Sequence, residues 1–298
     1  MRNSILLFIF LLVSLFTFGQ TENNSPINRI SINDYYIQGG NFYTPYMRGS
    51  LPDFQLLAPN SVLLNKYSST FPTSNNYYFQ EGYNSTFSVL LGFKFSDKQK
   101  TRYKNNIQLR LGITYFSSSV LSYGLNSHET IPFDTLTSTQ TGETLIIDSV
   151  ISRSLEMSYE TEQLRIDASL IFRSNPEARW SIYSGIGLTA GMSFNAKTYI
   201  FYSKTEQIES QEPYHYSNNY NYNNGISESE MITNKNNFAF SAYIPLGIDF
   251  RIGKKRDFWK RIHLFYEIRP TLNILFIPEL GTMTNTFAQQ GLGIRVAL

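Results

Sequence analysis

The sequence contains no cysteine, and charged residues make up only 16% of its 298 residues. The lack of cysteine excludes disulfide bonds, thiolate metal sites and a lipid anchor on an N-terminal cysteine. The formal net charge is only +2, which argues against a nucleic-acid binder. The chain is therefore expected to be free of such an anchor, so any attachment to a membrane would depend on its own fold.

Long hydrophobic runs are also scarce. The only one covers residues 5–18 and follows a short basic start. This arrangement is typical of a secretory signal peptide, with cleavage expected between Gly19 and Gln20. The alternative is a retained membrane helix, but the run is shorter than the roughly 20 residues that cross a bilayer. We therefore expect a signal peptide over 1–19 and a single exported domain over 20–298.

Aromatic residues are abundant, with 23 Phe and 21 Tyr in the chain. Apolar and polar residues alternate in many segments, which predicts strands with one apolar and one polar face. Seven segments show this pattern clearly: 87–96, 107–115, 164–173, 180–194, 238–252, 262–276 and 289–298. An eighth strand is expected near 34–47, since single-chain bacterial barrels have an even number of strands.

The connections between these strands alternate in length and in charge. Short turns at 97–103, 174–179 and 253–260, of which the first and last are basic, alternate with long connections at 48–82, 124–157 and 203–237, of which the last two lean acidic. Short periplasmic turns and long external loops are typical of outer-membrane barrels. The sequence thus predicts an all-β fold: an eight-stranded antiparallel transmembrane β-barrel with long extracellular loops, in the outer membrane of a Gram-negative cell. A ten-stranded barrel is the alternative.

Charged residues occur on the polar faces of the predicted strands. An eight-stranded lumen is just wide enough for side chains to fill, so inward charges must pair. The candidate interior charge network comprises Lys94, Arg110, Arg165, Asp167, Asp249, Arg251, Glu267, Arg269 and Arg295. We expect these residues to form a salt-bridged plug, with Arg110, Arg165, Asp167, Glu267 and Arg269 at similar heights. The alternative is a gated ion path or a small-ligand site.

A lipid-modifying barrel enzyme would need a histidine beside a serine near the outer rim. His128 and His215 fall in predicted loops, and His263 falls at the periplasmic end. No catalytic residue is therefore expected, and the protein is predicted not to be an enzyme. The acidic loops lack the spacing of a calcium loop, so no metal site or cofactor is expected either.

The predicted external segment 51–66 is unusually apolar. We expect it to fold onto the barrel rim or the mouth of the lumen. A partner-binding patch is the alternative, because large apolar patches on a surface mark interaction sites.

Three short stretches carry a resemblance to a known group of proteins: residues 18–20, the glycine-rich strand 184–188 and the hairpin 245–251. In these, the chain resembles small outer-membrane barrels of the Bacteroidetes type, described as PorT-like, over roughly residues 83–298. The resemblance implies an outer-membrane location, and it carries over no functional residue. Because that family includes parts of a protein-secretion apparatus, a structural or interaction role in a secretion or surface assembly is the first hypothesis. Its expected partners are outer-membrane lipid and a protein bound by the long loops. A narrow channel for ions or small solutes is the second hypothesis, and a lipid-modifying enzyme is the third.

Overall fold

The structure is a computed structural model that describes residues 29–43, 47–71, 76–77, 84–96, 107–137, 139–140, 142, 144–174, 178–210, 225–253 and 256–298. The expected signal peptide lies outside the described residues, as does His215. Within these ranges, no helix has the length and apolarity needed to cross a membrane.

The described chain is almost entirely β-structure. The strands are β1 (Arg29–Tyr43), β2 (Met47–Arg48), β3 (Asn76–Tyr77), β4 (Ser85–Ser96), β5 (Ile107–Thr137), β6 (Thr144–Arg173), β7 (Trp180–Ser210), β8 (Ile226–Thr233), β9 (Phe238–Tyr243), β10 (Leu246–Arg251), β11 (Ile262–Ile277) and β12 (Gly281–Ala297). Three short helices accompany them: α1 (Leu51–Leu57), α2 (Val62–Tyr67) and α3 (Asp257–Arg261).

The strands close into a ring with eight strand positions. In order around the ring these are β1, β4, β5, β6, β7, the pair β9 and β10, β11, and β12, which returns to β1. All neighbours in the ring are antiparallel, and β12 pairs with β1 from Ala297 opposite Asp34 to Ala288 opposite Tyr43. Strands β9 and β10 share one position, separated by Ile244 and Pro245. The predicted eight-stranded antiparallel barrel is confirmed, and its first strand, predicted near 34–47, is β1 at Arg29–Tyr43.

The central strands are much longer than the sequence predicted. Strands β5, β6 and β7 have 31, 30 and 31 residues, whereas β11 and β12 have 16 and 17. Segments 124–157 and 203–237 are predicted as long loops, and this prediction is wrong for most of their described residues, which are β-strand. They continue the sheet beyond the ring, where β8 adds to β7. We call β8 and the parts of β5, β6 and β7 that lie beyond the ring (118–137, 144–161 and 195–210) the projecting sheet.

Apolar side chains cover the outside of the ring, and polar side chains face its lumen. On β11 the outward apolar positions run from Leu264 to Phe276, with inward Glu267 and Arg269 between them. These 12 steps correspond to roughly 40 Å along the strand, and a tilt of about 40° reduces this to roughly 30 Å of height. The apolar band is therefore tall enough to match the hydrocarbon core of a bilayer.

Two inward glycines leave room for tyrosine rings in the lumen. A Cβ atom on Gly187 would lie 2.2 Å from Cζ of Tyr243, and one on Gly247 would lie 2.1 Å from Cζ of Tyr183. Both rings are buried, and both lie against arginine side chains of the interior. Glycine is required at these positions because any larger residue would displace a ring.

Candidate functional site: the filled lumen and its cap

The lumen runs from a turn end, where α3 lies, to a loop end, where the projecting sheet begins. Asp249 is the central acceptor at the turn end. Its carboxylate lies 2.7 Å from Nη1 of Arg173, 3.2 Å from Nη1 of Arg295 and 2.6 Å from Nδ1 of His263. Asp34 supplies a second carboxylate, 3.3 Å from Nε of Arg295. Two carboxylates thus neutralise two buried arginines in this layer.

The middle of the lumen contains a balanced group of two carboxylates and two guanidinium groups, all fully buried. Oε2 of Glu267 lies 2.7 Å from Nη1 of Arg110, and Oε1 accepts a hydrogen bond from Nε of Arg269. Arg269 also contacts Asp167 at 3.1 Å, and Asp167 accepts a 2.5 Å hydrogen bond from the hydroxyl of Tyr243. Such a group is stable because each buried charge has an opposite partner and further hydrogen bonds.

Arg165 lies in a separate layer toward the loop end. Its guanidinium donates hydrogen bonds to Gln163, to Ser241 at 2.7 Å and to Asn273 at 3.0 Å, and it lies 4.2 Å from the ring centre of Phe116. The expectation that Arg165 shares a height with Glu267 is wrong. Counting residues from the strand ends ignores the stagger between tilted strands of a barrel, and this stagger shifts heights around the ring.

The structure brings most of the nine candidate charges together in two groups. Arg110, Asp167, Glu267 and Arg269 form the middle group, and Asp249 and Arg295 belong to the turn-end group. Lys94 and Arg251 also lie at the turn end, half-buried, and no ion pair to either is found among the described residues.

The turn-end group includes three charged or polar residues absent from the sequence-based network: Asp34, Arg173 and His263. Alternation places Arg173 and His263 on inward faces, so that signal was present in the sequence. Asp34 follows an irregularity in the pairing of β1 with β4 between Ile32 and Asp34. This irregularity breaks the alternation and hides the inward direction of Asp34.

The loop end of the lumen is closed by a hydrophobic cap formed by residues 51–71. Phe54, Leu57, Leu63 and Leu64 are buried there in one cluster with residues of the projecting sheet. The sheet residues of this cluster are Leu121, Tyr123, Leu125, Leu155, Met157, Tyr159, Ala196, Ile200 and Tyr202, joined by Ala239, Leu275 and Ile277 from the barrel. The apolar segment 51–66 therefore folds onto the mouth of the lumen, the first of its two sequence-based interpretations.

Polar contacts from β8 hold the cap in place. Glu230 accepts hydrogen bonds from the hydroxyl of Ser61 at 2.7 Å and from the backbone amide of Leu63 at 3.1 Å. Burial opposes ionisation of Glu230, but these hydrogen bonds outweigh it and hold its pKa below the usual value. Glu228 accepts a 2.7 Å hydrogen bond from the hydroxyl of Tyr67, whose ring stacks on Tyr202 with 3.6 Å between ring centres. The cap is thus anchored by both packing and charge.

His128 lies on β5 in the projecting sheet, not in a loop as the sequence suggested. Its Nδ1 is 3.1 Å from Oγ of Ser152 on the neighbouring strand. In the described structure no carboxylate contacts this histidine, so an orienting third group is not seen. Among the same residues, no three His, Asp or Glu side chains are placed to hold a metal ion together.

No model of a known protein family matches this chain, and no curated protein matches it. Among solved structures, it is similar to the attachment invasion locus protein Ail of Yersinia pestis, at 11% identity and a TM-score of 0.22, over 89% of this chain and 99% of that one. A structure of Ail with the heparin analogue sucrose octasulfate gives 10% identity and a TM-score of 0.21, over the same shares. OprB of Pseudomonas putida gives 6% identity and a TM-score of 0.13, over 90% and 94%. Scores this low support no inference, so the barrel assignment rests on its own strand pairing, and the PorT-like resemblance has no support beyond the barrel fold.

Proposed function

We propose that this protein is an outer-membrane barrel with a closed lumen, which serves as a structural support and holds the projecting sheet outside the cell for a partner protein. We call this role the closed post. The observation that carries the proposal is the combination of a lumen closed by ion pairs and a cap with a sheet that extends far beyond the apolar band. A role in a secretion or surface assembly would follow from the identity of the partner. No enzymatic activity is part of this proposal.

The outer membrane is the location that best suits the surface of the barrel. Large apolar side chains such as Ile166, Ile182 and Leu188 are exposed on the outside of the ring. In water such a continuous band would be unfavourable, whereas in lipid it replaces the contacts of a soluble core. Among the described strands, the closed ring also leaves no unpaired edge within the band.

A channel role is disfavoured by the contents of the lumen. Arg110, Asp167, Glu267 and Arg269 cross its middle fully buried, and the cap closes the loop end. An ion or solute would have to separate buried pairs, at a cost of about 3–5 kcal/mol when one partner is removed. The lumen is therefore suited to mechanical support.

The far end of the projecting sheet carries the features of an interaction surface. Ile131, Phe133, Leu136 and Ile146 are all exposed near the tip of the β5–β6 hairpin. Phe133 lies 18 residues beyond Tyr115, near the end of the apolar band, which corresponds to roughly 60 Å along the strand. These side chains are too far from lipid to be membrane anchors, and exposed apolar groups at such a tip are suited to protein contact.

The partner can be sought by site-specific photo-crosslinking in whole cells. We expect a crosslinker at Phe133 or Leu136 to give a discrete adduct with another protein. The matched control is a crosslinker at the equally exposed Phe258, on α3 at the turn end, which should not give the same adduct. If the tip positions give no adduct, or the same adduct as Phe258, the interaction role is wrong.

Conductance in planar bilayers separates the post from the channel. We expect no stepwise conductance from the purified protein, and none from a variant in which residues 51–71 are replaced by a short glycine-serine linker. The second variant matters because it removes the cap and leaves the ion pairs. Regular conductance steps in the unmodified protein would favour the channel hypothesis.

A further inference from the structure

The turn end of the lumen contains a basic cavity that the post role does not use. Its volume is about 290 Å³, and its cationic lining consists of Lys94, Arg173, Arg251, Lys260 and Arg295. Lys260 and Leu298 form part of its rim and are themselves partly or fully exposed, so the cavity opens at the turn end.

Among the described side chains around this cavity, positive charge exceeds negative charge. Arg173 and Arg295 are neutralised by Asp249 and Asp34, as described above. Lys260 contacts the carboxylate of Asp257 at 2.8 Å. These three pairs leave Lys94 and Arg251 as cations without a carboxylate partner among the described residues.

Arg251 has a buried hydrogen-bond donor that lacks an acceptor in the described structure. Its Nε is buried, and within the described residues it has no hydrogen-bond partner. Arg251, His263 and Arg295 lie opposite one another on three neighbouring strands, so the two guanidinium groups are carried by strands about 10 Å apart. A buried donor without an acceptor is costly, and an anion between these groups would supply the missing acceptor.

We propose that this basic cavity binds a phosphate group, with Arg251 and Lys94 as its principal ligands and Arg295 as a further donor. Arginine is suited to this role because its planar fork matches the oxygens of a phosphate, and lysine adds a mobile point charge. The phosphate group could be supplied by a free phosphate-bearing solute of the periplasm or by a phospholipid headgroup at the inner leaflet. Both sources present the same chemistry to the cavity.

The test is titration of the full-length barrel in a non-ionic detergent with inorganic phosphate, at constant ionic strength set with sodium chloride. Calorimetry or ³¹P resonance broadening reports the binding. We expect saturable binding that falls by about tenfold or more in Arg251→Gln and in Lys94→Gln, because each variant loses a charged hydrogen bond. Lys204→Gln, on the projecting sheet, is the matched control and should bind like the unmodified protein.

Neither substituted residue has an ion partner within the described part of the chain, so the variants should remain folded. Their unfolding midpoints without phosphate should match that of the unmodified protein, while added phosphate should raise the midpoint only where the site is intact. Repeating the titration with a soluble short-chain phosphatidylglycerol identifies the source of the phosphate group. Weaker binding of either ligand by Arg251→Gln and by Lys94→Gln supports the site. The absence of saturable binding for both ligands, or equal binding by all variants, would overturn it.

Discussion

Replacement of Glu267 by alanine should be the most damaging single change in the lumen. Glu267 is fully buried and, among the described residues, is the only carboxylate in an ion pair with Arg110. Without it, the contacts of Arg110 within the described residues are a 3.0 Å hydrogen bond from its Nε to the hydroxyl of Ser169 and the rings of Tyr36 and Tyr183. Arg269 still contacts Asp167 and the side-chain oxygen of Gln38, so it loses only one of its two ion-pair partners.

The expected cost follows from these contacts. Removing one partner of a buried ion pair destabilises a protein by about 3–5 kcal/mol, because an uncompensated charge remains. Glu129→Ala is the control, since Glu129 is half-exposed and lies 3.0 Å from Arg153 on the projecting sheet. An exposed pair of this kind contributes about 0–1 kcal/mol.

Urea unfolding midpoints of the refolded barrel measure both effects, with tryptophan fluorescence and gel mobility as independent signals. A third variant, Arg110→Met with Glu267→Gln, removes the pair as a unit and leaves Arg269 with Asp167. It should recover a large part of the stability lost in Glu267→Ala. If Glu267→Ala is as mild as Glu129→Ala, the lumen is hydrated and the closed-post argument is refuted.

Three further changes test other parts of the structure. Ile268→Arg places a charge on the lipid-facing side of β11 and should cost about 2–4 kcal/mol in the same unfolding assay, whereas Ile268→Leu should be nearly silent. Gly247→Ala should cost about 1–3 kcal/mol, because the added methyl group meets the ring of Tyr183, and a truncated ring in Gly247→Ala with Tyr183→Leu should restore stability. Glu230→Gln should speed hydrogen exchange in the cap at neutral pH. Since the pKa of Glu230 is lowered in the folded protein, its ionic anchoring is present above the ordinary carboxyl pKa and is lost as pH falls through the lowered value. The exchange rates of the two proteins, corrected for intrinsic exchange, should therefore converge in acid.

Alternation of side chains explains why the ring could be predicted from the sequence. Where one face meets an apolar environment and the other a crowded lumen, each position is constrained, as on β11 from Leu264 to Phe276. The projecting sheet lacks this constraint. Residues such as Asn126, Ser152 and Ser203 present polar groups on its surface, so the period-two signal disappears although the strands continue.

The charge network could be predicted only in part, for a related reason. Alternation gives the direction of a side chain, but the stagger between strands decides which charges share a height. Glu267 therefore has the predicted partner Arg110, whereas Arg165 lies in an amide-rich layer with Gln163 and Asn273. Long-range pairing of this kind is set by the register of the whole ring, which no single segment encodes.

The middle group of the lumen and the cap together favour a supporting role over transport. The middle group is balanced in charge, with Arg110 and Arg269 against Glu267 and Asp167, so it offers no net attraction to an ion that enters. The cap above is apolar, and its contacts belong to the projecting sheet, including Leu155 and Ile200. Displacing the cap to open a path would therefore also expose the base of the projecting sheet. Conduction would require the cap to move, and the same cap packs against the base of the projecting sheet. Transport through the lumen and support of the projecting sheet are therefore opposed in this molecule.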